Sequence, residues 1–315
     1  VMGERYGDID EFFPKQLKSE ALPYFIDWLL HKVVLIHIEA DDENNAYAMF
    51  ESMNDRGLML NPADMLKGYL LSNMNGNDLK EQANALWKKR ITELLHYGKE
   101  EETAFFRHWF RAKYAKTLRE RQRGAENKDF EKIGTSFHKW IRDHKEQLNL
   151  HTSADFSRFV LEDFDFYVSQ YLRILQACQT YTKGLEHVYY NHHNQFTHQF
   201  HVLLASLVPG ESQDVLDRKL NTVAYYLDCF VVHRFITFST LSYSSIAYTM
   251  YNLTKEIRDK SLNELVDIFQ KKAIYTKQPM LEFHLHKQNK RYVHYLLARL
   301  THYVEQKSGL ATSFV

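Results

Sequence analysis

Cysteine is nearly absent from this sequence, which contains only Cys178 and Cys229 among its 315 residues. The two thiols are far apart and outside any spacing of metal ligands, so the composition excludes a disulfide scaffold and a zinc-finger protein. We expect both side chains to be buried as small apolar groups. The chain is therefore predicted to work in a reducing compartment, the cytoplasm.

Long apolar runs and an excess of one charge are also missing. No stretch reaches the roughly 18 consecutive apolar residues of a membrane-spanning helix, and the first residues lack the apolar core of a signal peptide. We therefore expect no membrane partner. Lys plus Arg and Asp plus Glu are equal, at 40 each. This balance excludes a protein whose whole surface is basic and binds nucleic acid, but it does not exclude a local basic face.

Glycine and proline are scarce, with 11 and 5 residues respectively. Their scarcity favours helices, because glycine costs about 1 kcal/mol and proline about 3 kcal/mol in a helix interior. Aromatic residues are abundant instead, with 20 Tyr and 21 Phe. We expect these rings to fill a helical core rather than form a base-stacking surface. The predicted fold class is mainly α.

The order of elements predicts a small α/β remnant followed by a multi-helix domain. One β-branched strand is predicted at residues 33–39, after a helix at 22–31 and before another near 46–53. Beyond residue 75, apolar residues at i, i+3 and i+4 predict helices and no paired strands. Their predicted ranges are 78–96, 102–120, 128–147, 154–182, 195–208, 212–238, 243–258, 262–272 and 290–307. We place the domain boundary so that the first domain covers 1–75 and the helical domain covers 76–315.

The clearest helix start lies just before residue 62. Asn61 suits an N-cap, Pro62 suits the first helical position, and Asp64 meets the positive end of the helix. These signals predict a helix at 62–74. It follows a turn at 54–57, whose Gly57 can adopt a positive φ.

Together, the strand, the next helix, the turn and the helix start resemble one known pattern. It is F-E-x-x-N-x-R-G-x-x-L-x-x-x-D-x-x-K, typical of the second half of the N-terminal domain of GmrSD-like modification-dependent restriction proteins. The matching residues are Phe50, Glu51, Asn54, Arg56, Gly57, Leu60, Asp64 and Lys67. Beyond Lys67 the chain fits this family in length and helical character only.

The resemblance implies a bacterial anti-phage protein that restricts modified DNA. Relatives combine a ParB/sulfiredoxin-like domain, which binds and hydrolyses nucleoside triphosphate with Mg²⁺, and a C-terminal HNH-type nuclease. The family's Asp-Gly-Gln-Gln-Arg and Glu-His-x-x-Pro motifs are both absent from this sequence. We therefore expect a central portion of such a protein, without catalytic residues, that neither hydrolyses nucleotide nor cuts DNA. DNA is the expected partner, and a homo-oligomer stays open.

The residue types of the motif suit the binding of a nucleotide phosphate. Arg56 in a glycine-containing turn could present its planar fork to a phosphate, and Lys67 could add positive charge. The alternative is that Arg56 pairs with Glu51 or Asp64 and only fixes the turn. The candidate nucleotide and motif residues are Glu51, Asn54, Arg56, Gly57, Asp64 and Lys67.

A second candidate site is the basic segment after residue 106. Arg107 and Arg111, like Arg119 and Arg123, are four residues apart, so a helix would align parts of the segment as a stripe. The candidate DNA contacts are Arg107, Arg111, Lys116, Arg119 and Arg123. The alternative is a solvated helix face beside the acidic residues at 100–102.

The sequence also contains 17 histidines, among them His192, His193, His198 and His201. His198 and His201 would share a helix face, but no H-E-x-x-H or C-x-x-C companion accompanies them. We therefore assign no metal site and expect surface or capping histidines. The other overall interpretation is a non-catalytic helical scaffold for protein interactions.

Overall fold

The computed structural model describes residues 13–14, 17–18, 20–34, 61–120, 122, 124–272, 281–284 and 290–310. In chain order its helices are α1 (Leu22–Lys32), α2 (Pro62–Ser72), α3 (Asn77–Leu95), α4 (Glu101–Lys113), α5 (Asp129–Asp143), α6 (Ser153–Arg158), α7 (Asp165–Gln179), α8 (Glu186–His193), α9 (Gln199–Ala205), α10 (Gln213–Ile236), α11 (Tyr243–Ile257), α12 (Leu262–Lys271) and α13 (Lys290–Lys307). A 3-10 helix (Lys145–Leu148) and a π-helical segment (Phe159–Phe164) complete them. No strand occurs in the described residues. The prediction of a mainly α, multi-helix fold is confirmed.

The chain divides into two compact units, Val1–Met53 and Asn54–Val315. Helix α1 is the described helix of the first unit, and Pro23 lies in its first turn as the sequence predicts. The predicted strand at 33–39 lies mostly outside the described residues, as does the helix near 46–53. The extent of the predicted 1–75 domain therefore stays a prediction.

Helix α2 begins as the sequence predicts. The Asn61 side chain accepts a hydrogen bond from the Ala63 amide at 3.1 Å, and Pro62 occupies the first turn. The helix ends at Ser72, slightly before the predicted residue 74. The reason is local: Ser72 and Asn73 both donate side-chain hydrogen bonds to the Tyr69 carbonyl, at 2.9 and 2.8 Å. Such bonds compete with continuation of the helix.

Helix α4 lies at the centre of the second unit, because α2, α3, α5, α7 and α9 all pack against it. Its buried face carries Phe105, Phe106, Trp109 and Phe110. Trp87 of α3 stacks on Phe106 with 5.3 Å between ring centroids. Large rings therefore fill this core, as the composition predicts, and offset-stacked pairs add to the burial of apolar area.

The predicted continuous helix at 154–182 is divided by the π-helical segment. Residues five apart point about 140° away from each other in an α-helix, whereas the wider π turn brings them nearer to one face. Phe159 and Phe164, five apart, are both buried here. Phe159 packs on Trp109 at 5.1 Å and Phe164 stacks on Trp87 at 4.6 Å. The altered turn thus directs both rings into the core.

Helix α8 is absent from the sequence-based prediction. It consists of Glu-His-Val-Tyr-Tyr-Asn-His-His, in which most residues are weak helix formers. Packing against α7 and α10 stabilises it instead, and Asn191 donates a hydrogen bond to the Ala224 carbonyl at 3.1 Å. Tertiary contacts therefore decide this helix.

Helix α10 is long but carries buried charges. Lys219 is fully buried and donates to the Ser206 carbonyl at 2.8 Å and to Glu211 at 2.5 Å. Asp228 is also buried. Within the part of the chain that the structure describes, no helix is long and apolar enough to cross a bilayer.

Candidate functional site

Most of the family-like motif lies outside the described residues. This applies to Glu51, Asn54, Arg56 and Gly57. The two alternatives for Arg56, phosphate binding and an ion pair that fixes the turn, therefore both stay predictions.

The described half of the motif lies in a polar cluster where α2 meets α4. Asn61, the N-cap of α2, donates to the buried carboxyl of Glu102 at 2.5 Å. Burial and the charge of Asp64 raise the pKa of Glu102. Burial and the charge of Lys88 lower the pKa of Lys67. Asp64 and Lys67 are thus close enough to Glu102 to perturb its ionisation, and this partner was not predicted from the sequence.

The basic segment does not form the helical stripe that its spacing predicts. Helix α4 ends at Lys113, well before the predicted residue 120, so Arg119 does not lie on a helix. Arg123 lies outside the described residues. Arg107 is half-buried on α4, while Lys116 and Arg119 are exposed. The predicted helix at 102–120 was therefore wrong beyond Lys113.

The physical reason lies in the helices that follow. Asp129 of α5 accepts a hydrogen bond from the Lys116 amide at 3.0 Å, and Glu131 accepts one from the Arg119 amide at 3.0 Å. Arg258, just beyond α11, donates to a carbonyl in the last turn of α4 at 2.7 Å. These side chains satisfy backbone groups that a longer helix would bond internally. They lie far along the sequence, so helical spacing could not reveal them.

Arg111 points toward α5 and α11 and packs there with defined contacts. Its Nε donates to the Phe130 carbonyl at 3.0 Å, and its Nη1 donates to the Tyr243 hydroxyl at 3.1 Å. The guanidinium carbon lies 4.1 Å from the centroid of the Phe130 ring. Gly134 makes this position possible, since a Cβ there would lie 2.1 Å from Nη2 of Arg111. Sequence and packing together hold the guanidinium in one place.

Among the described residues Arg111 forms no ion pair, although the charge of Glu131 is near enough to raise its pKa. Its bonding partners are a carbonyl and a hydroxyl, which are neutral. Burial lowers the pKa of Arg111, and the Tyr243 contact opposes the shift. Arginine nevertheless stays charged at neutral pH. The half-buried cation is therefore only partly compensated.

A cavity of about 580 Å³ opens beside this guanidinium. We call it the Arg111 pocket. The lining residues that carry charge or a hydroxyl group are Arg111, Arg119, Glu120, Glu131, Tyr243, Ser244 and Tyr248. Two of the residues that the sequence predicted as DNA contacts therefore come together here, although not on one helix face.

Three histidines lie behind the pocket, buried among aromatic rings. The His201 ring lies 6.1 Å from that of His108 and 5.2 Å from that of His198. The Nε2–H of His198 donates a hydrogen bond to the Tyr243 carbonyl, 3.0 Å away. Burial lowers the pKa of His108 to about 3 and that of His198 to about 4, and it lowers the pKa of His201 well below its usual value.

These histidines are uncharged at neutral pH, so Arg111 and Arg107 carry the positive charge near them. The expectation that His198 and His201 are surface or capping residues was wrong, because both are almost fully buried. Within the described ranges, no group of three potential ligands has the arrangement of a metal site. The cluster is a neutral packing layer between α4, α5 and α9.

A second polar group was not predicted from the sequence. Asp228 of α10 bonds His187 of α8 and Arg299 of α13, at 2.8 and 2.9 Å. Arg234, near the end of the same helix, instead donates to the Thr240 carbonyl six residues ahead, at 2.8 Å. The one available signal was an acidic residue inside an otherwise apolar run at 227–232.

Comparison of the chain with models of known protein families, with curated proteins and with solved structures gives no significant match.

Proposed function

We propose that this chain is the central portion of a bacterial, GmrSD-like protein that restricts modified DNA, and that its Arg111 pocket holds one phosphate of the DNA backbone. The observation that supports the contact is the half-buried guanidinium of Arg111, which faces a cavity, bonds a neutral carbonyl and a neutral hydroxyl, and forms no ion pair in the described residues. An anionic ligand would supply the missing charge.

The chemistry of the pocket suits a phosphate. A guanidinium offers a planar set of donors that matches phosphate oxygens, and Arg119 adds a second positive charge at the exposed rim. Glu120 and Glu131 also line the pocket, and the Glu131 carboxylate accepts hydrogen bonds from the amides of Arg119 and Lys128, at 3.0 and 3.2 Å. The chain has no net charge, so we expect weak binding that depends on few phosphate contacts.

The wider role in this proposal follows from the motif. The helical unit would couple a domain that binds nucleoside triphosphate and Mg²⁺ to an HNH-type nuclease of the parent protein. The support for this coupling is the match at Asp64 and Lys67, which lie on α2, one of the helices packed on α4. Movement of α2 would reach α4 and hence Arg111 directly.

Salt-dependent binding to labelled duplex DNA tests the phosphate contact. Fluorescence anisotropy should show weak, sequence-independent binding whose logarithm falls with the logarithm of salt concentration, with a slope of about −0.9 for each phosphate contacted. Arg119→Gln should reduce the steepness of this slope by about 0.9, the value for one phosphate contact. It should leave thermal stability nearly unchanged, because the side chain is exposed. Arg111→Gln should weaken binding further.

Arg218 provides the matched control. It is an exposed arginine on α10, 3.9 Å from Asp214 and away from the pocket, so Arg218→Gln should change binding less than Arg119→Gln. Equal effects of the two variants would show only a general loss of positive charge. Absence of binding at low salt would remove the phosphate proposal, whatever the stability of Arg111→Gln.

The alternative is a helical scaffold for protein interactions. One observation favours it: α13 exposes apolar side chains at helical spacing, with Leu297, Leu300, Tyr303 and Val304 each more than half exposed. A chain that fails to bind DNA at any salt concentration and self-associates through this face would support the scaffold. Substituting Leu297 and Val304 by Glu would then abolish the association.

A further inference from the structure

The buried carboxylate of Asp228 fixes the orientation of His187. One oxygen of Asp228 lies 2.8 Å from Nδ1 of His187, and the other lies 2.9 Å from Nη1 of Arg299. Arg299 also donates to the Tyr295 hydroxyl at 2.7 Å. Burial raises the pKa of Asp228, but the His187 hydrogen bond and the Arg299 charge outweigh it and lower that pKa overall. Asp228 is therefore ionised at neutral pH.

This arrangement determines which nitrogen of His187 can meet a ligand. A carboxylate at Nδ1 favours the tautomer that carries its proton there, as a ring hydrogen-bonded to a carboxylate does in metal sites and catalytic dyads. Nε2 is then a hydrogen-bond acceptor. The His187 side chain is 22% exposed, so the ring is accessible although its partner is buried.

His187 lines a cavity of about 470 Å³ between α8, α10 and α13. We call it the His187 cavity. Its size lies within the range of small-molecule sites. The aromatic and aliphatic residues that form its walls are Tyr181, Tyr190, Val232, Leu296, Leu300 and Tyr303. Leu300 and Tyr303 are more than half exposed, so the cavity is open to solvent on the α13 side.

The cavity has both donors and acceptors: Arg299 only donates, Glu186 only accepts, and Gln306 and the tyrosine hydroxyls can do either. Glu186 lines the cavity, and its Oε1 accepts a hydrogen bond from the Gly184 amide at 2.9 Å. Arg299 also lines it, but its charge is paired with Asp228, and its guanidinium stacks 3.6 Å from the Tyr190 ring centroid. An anion would meet Glu186 without a free cation to balance it. A neutral ligand with donor groups fits better.

We propose that the His187 cavity binds a small, planar aromatic or heteroaromatic molecule that donates an N–H or O–H hydrogen bond to Nε2 of His187. Its ring packs against the tyrosine and leucine walls, and its donor group reaches the histidine. This site is separate from the Arg111 pocket, and the proposal does not rest on DNA binding.

A pair of isosteric probes tests this proposal on the full chain. Indole carries an N–H donor, whereas benzofuran has nearly the same shape and lacks it. Titrations followed by nuclear magnetic resonance should show indole binding about three- to tenfold more tightly, the effect of one net hydrogen bond. Indole should also shift the Nε2 resonance of His187, and benzofuran should not shift it by a hydrogen bond.

Two variants separate the hydrogen bond from the shape of the cavity. His187→Asn keeps a short side-chain donor for Asp228 but removes the group that corresponds to Nε2, so indole should lose its advantage while benzofuran binds as before. His96→Asn is the control, since His96 is an exposed histidine of α3 with Nδ1 bonded to the Thr92 carbonyl at 2.7 Å. It should leave both affinities unchanged.

The comparison of the two probes on the parent protein decides the matter even if His187→Asn does not fold. Equal binding of indole and benzofuran, or binding that leaves the His187 resonance unchanged, overturns the proposal. So does a loss of the indole advantage in His96→Asn.

Discussion

Substitution of Gly134 by alanine gives the sharpest test of how Arg111 is held. In a helix interior this change ordinarily stabilises a protein by about 1 kcal/mol, because alanine is the better helix former. Gly134 lies within α5, but a Cβ there would lie 2.1 Å from Nη2 of Arg111 and 3.1 Å from its Cζ. The guanidinium must therefore move, and we expect the sign of the effect to reverse.

The magnitude follows from the contacts that Arg111 would lose. Its hydrogen bonds to the Phe130 carbonyl and the Tyr243 hydroxyl would break or lengthen, and its stacking on the Phe130 ring would weaken. The displaced guanidinium would regain hydrogen bonds to water, and after these are counted the lost contacts contribute on the order of 2–3 kcal/mol to the free energy of unfolding. After the helix gain of about 1 kcal/mol is subtracted, Gly134→Ala should destabilise the protein by about 1–2 kcal/mol.

Thermal unfolding measured by circular dichroism checks this, with Arg111→Met as the second background. Methionine keeps an apolar stem but has no guanidinium, so Gly134→Ala should raise Tm there by roughly 1–2 °C. In the parent background it should lower Tm by a similar amount or more. The same shift in both backgrounds would refute the reasoning, because it would show that Gly134 and Arg111 do not interact.

Two other variants test the buried ionisable groups. Asp228→Asn should lower the free energy of unfolding by about 3 kcal/mol, because it leaves Arg299 without its carboxylate. The control is Asp214→Asn in an exposed ion pair, which should change the free energy of unfolding by less than about 1 kcal/mol. Equal losses for the two variants in urea unfolding would contradict this prediction. Burial holds the pKa of His198 at about 4 in the folded protein, so as the pH falls the unfolded chain is protonated at this histidine before the folded chain is. The contribution of His198 to the free energy of unfolding is therefore fully present above about pH 6.5. It falls toward pH 4 by up to about 1.4 kcal/mol per pH unit. In His198→Gln the fall of Tm with pH should be shallower, and an unchanged slope would count against a neutral buried histidine.

Local sequence signals predicted the fold well wherever they act within one helix. The Asn61 cap and Pro62 fixed the start of α2 in the prediction and in the structure. The shortage of glycine and proline predicted long helical stretches without paired strands. The sequence-based prediction failed where residues far away along the chain determine whether a helix forms or where it ends. The end of α4 depends on Asp129 and Arg258, and α8 depends on packing against α10.

The candidate sites show the same division between local and distant signals. The composition of the 107–123 segment indicated a basic region, and Arg111 and Arg119 do line one pocket. That Arg111 turns toward α5 depends on Gly134, and nothing in the spacing of the arginines indicates it. Asp228 is 41 residues from His187 along the chain. No motif or periodicity links residues at such a separation, so only the fold brings them together.

The two cavities differ most in how their charges are balanced, and this difference governs which ligand each can accept. At the Arg111 pocket, the half-buried cation is bonded to a neutral carbonyl and a neutral hydroxyl, and the histidines behind it are uncharged. A ligand there gains most by bringing negative charge. At the His187 cavity, the buried Asp228 already has both His187 and Arg299 as partners. A charged ligand would gain no binding energy from Asp228, because a buried ion that is already paired interacts only weakly with a third charge. What the second cavity offers is an oriented acceptor among aromatic walls, and shape and hydrogen bonding must therefore select its ligand.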